Sequence, residues 1–280
     1  MEGNVLAALG LTLFAGLSTG IGSLIVFFVR RPSMRLLSLG LGFSSGVMVY
    51  VSLVELLPSS IELIAGSYGE KLSSWIATGC FFGGMLLSAV IDKLVPDPEN
   101  PHEAVSLASI QAAGREEAEP DANGSLAPQK VAAVARLGPL TALVIGIHNF
   151  PEGVATFASA LADLSLGTSI AVAVAIHNIP EGISVAVPTY FATRSRRRAF
   201  FYSFTSGLAE PVGALLAYLV LMSFLTPVVI AGMLSAVAGI MVFISFDELV
   251  PTAREYGKGH TAILGVGCGM AVMAVSLLLL

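Results

Sequence analysis

Charge is what this sequence has least of. Of its 280 residues only 12% are Asp, Glu, Lys or Arg, while 55% are hydrophobic, and the mean hydropathy is +0.84. A chain with so little polar surface cannot clothe a water-soluble globule, which excludes the soluble globular classes. Cysteine is nearly absent too. Cys80 and Cys268 both fall in apolar stretches, too few for a disulfide framework, and both read as small packing residues. With only four histidines in the chain, a His-rich metal-sensing loop is also excluded.

What is present is a series of apolar stretches long enough to span a bilayer. Eight are read, at residues 5–29, 36–58, 72–91, 137–161, 166–190, 200–224, 227–250 and 261–280, called spans one to eight below. The fold class expected is therefore an all-α polytopic membrane protein. One region differs: residues 96–136 are rich in Pro, Ala and Glu and carry a single histidine, His102. They read as a flexible cytoplasmic linker. The chain divides accordingly into 1–95 with spans one to three, the linker at 96–136, 137–190 with spans four and five, and 191–280 with spans six to eight.

Positive charge sets the expected orientation. Of the 14 Lys and Arg residues, only Lys71 lies on the side opposite the rest. By the positive-inside rule both termini face away from the cytoplasm. The cluster at Arg194, Arg196, Arg197 and Arg198 reads as an anchor to anionic lipid headgroups rather than a nucleic-acid surface. The net charge of −5 resides mostly in loops and identifies no partner.

An internal repeat organises the spans. The segment from Gly46 to Pro58 in span two matches that from Gly239 to Pro251 in span seven, with Gly, Met, Ser, Glu and Pro recurring 193 residues apart. A fainter echo links Gly16–Gly22 with Gly207–Gly213. The copies lie five spans apart, an odd step that reverses direction across the membrane, so spans one to three and six to eight form an inverted repeat around spans four and five, a 3+2+3 arrangement. Inverted repeats point to a transporter.

The central spans carry the chemistry. His148-Asn149-Phe150-Pro151-Glu152-Gly153 and His177-Asn178-Ile179-Pro180-Glu181-Gly182 are two copies of one motif. His and Glu are four apart and Asn and Glu three apart, so each copy puts all three on one helix face. Glu210 in span six also stands beside a proline, Pro211, at a polar break in an apolar stretch. Hydrocarbon tolerates such groups only with partners and a purpose. Imidazoles and carboxylates suit Zn²⁺, Fe²⁺, Mn²⁺, Co²⁺ or Cd²⁺, while the lack of thiolates disfavours Cu(I). Met48 is either a thioether ligand or core filling. Glu55 and Glu248, read as lying near span ends just before proline, attract cations at the two membrane faces or are solvated helix ends. Asp92 and Asp163 read as interfacial residues without a further role.

These residues resemble the ZIP (Zrt-/Irt-like) divalent metal transporters, the bacterial branch in particular, over the whole chain outside the linker. The resemblance implies uptake of zinc and other divalent metals across the bacterial inner membrane through a site holding two ions. It would place His148, Glu152, His177 and Glu181 around one ion and Asn149, Asn178 and Glu210 around the second, with Met48 lining the first. It also implies rigid-block movement of the central helices and a homodimer. The metal is then cargo, with no separate cofactor. Three other readings differ in what they require. An exporter or proton-coupled exchanger would use the same ligands. An intramembrane metallo-hydrolase needs a His-Glu-x-x-His arrangement that this chain lacks. A metal-gated signalling protein needs a soluble output domain, and none is present.

Overall fold

A computed structural model describes residues 2–28, 34–94, 146, 149–193, 195–221, 226–257 and 259–279. The linker with His102, the first part of span four and His148 lie outside the described residues. All regular structure among the described residues is helical: α1 (Glu2–Ser23), α2 (Ile25–Phe28), α3 (Met34–Val51), α4 (Leu57–Tyr68), α5 (Glu70–Leu94), α6 (149–162), α7 (Leu164–Thr193), α8 (Arg196–Gly207), α9 (Ala209–Leu216), α10 (Pro227–Ile244), α11 (Val250–Tyr256) and α12 (Thr261–Leu279). Among these residues seven helical runs are long and apolar enough to cross a bilayer. The outward surface carries bare apolar side chains, such as Trp75 at 70% and Leu278 at 86% exposure, whereas Glu152, His177, Glu181 and Glu210 are buried. That inside-out distribution would aggregate in water and is stable in lipid. The protein is an all-α, multi-pass membrane protein.

Spans two and seven do not end at their prolines, as the sequence suggested. Each passes through a π-turn, Ser52–Leu56 and Ser245–Leu249, and continues as helix to Tyr68 and Tyr256. In both turns the last usable amide, Leu57 or Val250, donates to the carbonyl five residues back, Ser52 or Ser245. The next residue, Pro58 or Pro251, has no N–H to offer, and its ring would collide with a carbonyl in a regular α-turn. The widened turn absorbs both problems, so the helix is not broken. Glu55 and Glu248 accordingly sit inside continuous helices and not at helix ends. Span six does break where expected: α8 stops at Gly207, Leu208 forms the joint, and Glu210 lies in the first turn of α9. By contrast α7 runs unbroken through Pro180.

Short connections are capped by local chemistry. Gly69, at φ 75°, ends α4 in a conformation that side chains resist. Thr226 caps α10, its hydroxyl accepting from the Val229 amide, with Pro227 in the first turn. Asp163, read from sequence as a bystander, has a role: its carboxylate accepts the Leu166 amide at 2.8 Å and starts α7. Asp163→Ala is expected to lower stability by about 1 kcal/mol, measurable as a fall in thermal midpoint in detergent with metal uptake retained.

Glycines set the packing. Within spans one, four, five and six, Gly22 lies against the Ile179 carbonyl and Gly182 against that of Thr19, while Gly213 lies against Phe150 and Gly153 against Glu210. Within spans two, three, seven and eight, Gly46 faces the Val266 carbonyl and Gly269 that of Phe43, while Gly239 faces Phe81 and Gly84 faces Ala236. At every one of these positions a Cβ would collide with backbone. The contacts come in matched pairs: Gly46 and Gly239 are the positions 193 apart in the repeat, and Gly153 and Gly182 hold the same place in the two motifs. Gly16 and Gly207, likewise equivalent, each face the other's carbonyl. These small-residue spacings thus serve contacts within the chain. Of the two cysteines, Cys80 is partly buried, but Cys268 is exposed and packs against nothing inside. It lies on the outward side of α12, where the bilayer accepts a thiol as readily as a methyl.

Candidate metal centre

Span four and span five bring three of the expected ligands together. The donor atoms of Glu152, His177 and Glu181 all lie within 4.8 Å of one another, and all three residues are buried. His177 and Glu181 share one face of α7 because they are four apart. Glu152 comes from α6, which lies directly against α7 where Gly167 meets Ala160.

The tautomer of His177 follows from its second contact. Its Nδ1 is 3.1 Å from the Ala173 carbonyl oxygen, which only accepts, so Nδ1 carries the hydrogen. Nε2 of the neutral ring then presents its lone pair, 3.3 Å from Glu152 Oε2. Two electron-rich atoms at that separation call for a proton or a cation between them. With metal–ligand bonds of about 2.0 Å, two ligands of a tetrahedral ion stand about 3.3 Å apart, which is the spacing here. A His whose far nitrogen is anchored to a carbonyl is also oriented as metal-ligating imidazoles usually are.

A second group adjoins the first. The Asn178 amide nitrogen donates to the Ala15 carbonyl at 2.9 Å and to Glu210 Oε1. Both partners are acceptors, which fixes the amide orientation. The Asn178 Oδ1 and Glu210 Oε2 atoms are buried with no hydrogen-bond partner among the described residues. Two buried oxygens without donors are costly unless a cation or water serves them.

The other expected residues are placed differently. Asn149 is fully buried, and its amide nitrogen donates to the Ser206 carbonyl at 3.4 Å, near the broken end of α8. Met48 is 1% exposed and belongs to the main apolar cluster. Ser44, one turn earlier on the same face of α3, donates to the His177 carbonyl at 3.4 Å, which sets this face beside the imidazole turn. His148 lies outside the described residues. Sequence reasoning missed a small cavity beside Glu152, lined otherwise by apolar residues and by Met241. The repeat held the signal, since it carries Met48 onto Met241.

The family model described as ZIP Zinc transporter matches residues 4–277. A protein named zinc transporter ZupT from Nitratidesulfovibrio vulgaris is 56% identical over 278 residues, covering 99% of this chain and 98% of the relative. Proteins of the same name from Lysinibacillus sphaericus and Streptococcus mutans are 54% and 51% identical, over 100% of this chain in each case and 100% and 99% of theirs. A match that runs from the first span to the last, through both motifs and the helices that carry Glu152, His177 and Glu181, places this chain in the ZIP zinc transporter family.

Proposed function

We propose that this protein carries Zn²⁺, and with it other divalent cations that accept imidazole and carboxylate ligands, into the cytoplasm across a bacterial inner membrane. The observation that carries the reading is the buried Glu152–His177–Glu181 cluster, whose donor atoms lie within 4.8 Å of one another. Its relatives are named zinc transporters, and Fe²⁺, Mn²⁺, Co²⁺ and Cd²⁺ fit the same donor set. His148 completes the first ion's ligands as the counterpart of His177. Asn178 Oδ1 and Glu210 Oε2 hold a second ion, with Asn149 steadying α8 beside them and Met48 lining the first.

Topology follows from charge, with both termini outside the cytoplasm. The matched glycine contacts support an inverted repeat in which span one exchanges with six, two with seven, three with eight and four with five. They also support a division for movement other than the central pair alone. Spans one, four, five and six lock to one another by backbone contact; spans two and eight do so as a pair, as do three and seven, and serine hydrogen bonds such as Ser38 to the Ala253 carbonyl and Ser60 with Ser235 join the two pairs. Across the boundary, the approach of Gly40 to Pro180 is an ordinary van der Waals contact at 4.0 Å. The plane between the sets is where sliding disrupts least, so the metal-bearing set moves as one body against the other. The reading also includes a homodimer and direct contact with lipid.

The test uses purified protein in proteoliposomes, with initial uptake rates of Zn²⁺, Fe²⁺, Mn²⁺ and Cd²⁺ measured with and without a pH gradient. Zn²⁺ uptake above that of empty vesicles is expected. Vesicles that accumulate none of the four metals under either condition sink the proposal. Cells preloaded with radioactive zinc separate uptake from export.

A further inference from the structure

Within α1 the hydroxyls of Thr12 and Ser23 donate to the carbonyls four residues back, Ala8 at 2.9 Å and Thr19 at 2.7 Å. That is a common resting place for a hydroxyl inside a helix. Thr19 breaks the pattern. It is fully buried, and its Oγ1 has no hydrogen-bond partner among the described residues. The acceptor it would use, the Ala15 carbonyl, is already taken: Ser18 Oγ donates to it at 2.6 Å and the Asn178 amide nitrogen at 2.9 Å. A carbonyl oxygen has two lone pairs, so no place remains. On its other side Thr19 packs against Gly207, which brings no side chain; a Cβ added there would stand 2.7 Å from Oγ1.

The stranded hydroxyl marks a displaced bond. Asn178 reaches across from span five to an acceptor that span one would otherwise serve itself, and the same nitrogen holds Glu210 Oε1. The amide thus presents its N–H edge to the carboxylate. A dication on the Glu210 carboxylate repels that positively polarised edge and attracts the amide oxygen. Turning the amide answers both forces, and it takes the nitrogen off the Ala15 carbonyl.

Resting on the reading of Asn178 and Glu210 as ligands of a second ion, we infer that Thr19 is a positioning residue for metal loading: as Asn178 turns its oxygen to the ion, the Thr19 hydroxyl takes over the Ala15 carbonyl. One hydrogen bond replaces another, so the turn leaves no acceptor bare and satisfies a hydroxyl that had no partner. The exchange stays within spans one, five and six, and no proton changes owner. A hydroxyl held in reserve behaves differently from one that only packs. Valine has the shape of threonine without the donor. It relieves this arrangement of a buried, unserved hydroxyl, yet deprives the loaded one of a bond. Metal-free stability and metal affinity therefore move in opposite directions.

The experiment titrates Zn²⁺ by calorimetry into purified, metal-free wild type, Thr19→Val, Thr19→Ser and Glu210→Gln in detergent, and records each thermal midpoint without metal. The part of wild-type binding that Glu210→Gln lacks reports the second ion. In Thr19→Val that part is expected to weaken about fivefold, the worth of one net hydrogen bond, while the metal-free midpoint stays at or above that of wild type. Thr19→Ser keeps the donor and is expected to bind within about twofold of wild type. Undiminished affinity in Thr19→Val overturns the inference. A fall in its metal-free midpoint, or its failure to fold, does the same, since either shows that the hydroxyl already served the metal-free protein. Equal weakening in Thr19→Ser also overturns it. Those outcomes leave the second ion in place. Binding by Glu210→Gln that matches wild type removes the second ion, and this inference with it.

Discussion

Proteoliposomes carrying Glu181→Ala are expected to take up Zn²⁺ no faster than empty vesicles, a fall of about 100-fold or more. Loss of groups that merely orient ligands already costs roughly 10–100-fold in metal affinity, and Glu181 is placed as a ligand itself. Its donor atoms share the space within 4.8 Å with those of Glu152 and His177. Removing it leaves one carboxylate and one imidazole from the described cluster to replace the water of a dication at membrane depth, too few to offset dehydration. Insertion should be unaffected, because replacing a carboxylate with a methyl makes span five more apolar. The variant is therefore to be assayed at matched protein content in the vesicles. Uptake at the wild-type rate would show that ions pass without Glu181 and would remove the central cluster from the mechanism.

Much of that cluster was legible in the sequence, for a simple reason. The His–Glu spacing of four fixes which side chains share a helix face, so His177 and Glu181 follow from spacing alone. The duplication of the motif then points to a partner of the same kind. What spacing cannot give is the register between two helices. That Glu152, rather than Asn149, approaches His177 depends on how α6 and α7 pack, as at the close contact of Gly167 with Ala160. The pairing of Asn178 with Glu210 is likewise tertiary, set by the break at Leu208 that starts α9 beside α7.

Other features escaped because local rules were overridden by a device invisible at that level. Proline after Glu55-Leu56-Leu57 reads as the end of a helix, yet a π-turn carries α3 into α4. Nothing in composition distinguishes a proline that stops a helix from one preceded by a five-residue turn. The duplicate at Ser245–Leu249 was the available clue, since the same answer appears twice. Asp163 was passed over because a lone acidic residue between two spans looks interfacial, although its position immediately before α7 is that of a cap. Cys268 reads as a packing residue although it faces outward, because burial in lipid and burial in protein leave the same mark on a sequence.

The packing account makes the second large prediction. Gly22→Val is expected to lower stability by about 3 kcal/mol or more, because its Cβ would meet the Ile179 carbonyl, which is backbone and cannot rotate aside. Gly182→Val should do the same from the other side of the contact, against the Thr19 carbonyl. Gly10 supplies the control: it lies in the same helix as Gly22 with nothing within 4 Å of its Cβ position. Gly10→Val should therefore leave stability within about 1 kcal/mol of wild type, the scale of helix propensity. Size-exclusion recovery after heating in detergent reads all three. Equal melting of Gly22→Val and Gly10→Val would refute the close approach of α1 and α7. The same contact bears on transport, because α1 offers the Ala15 carbonyl that anchors the Asn178 amide. A wedge at Gly22 prises that anchor away, so whatever Gly22→Val protein survives folding should carry metal more slowly, while Gly10→Val carries it at the wild-type rate.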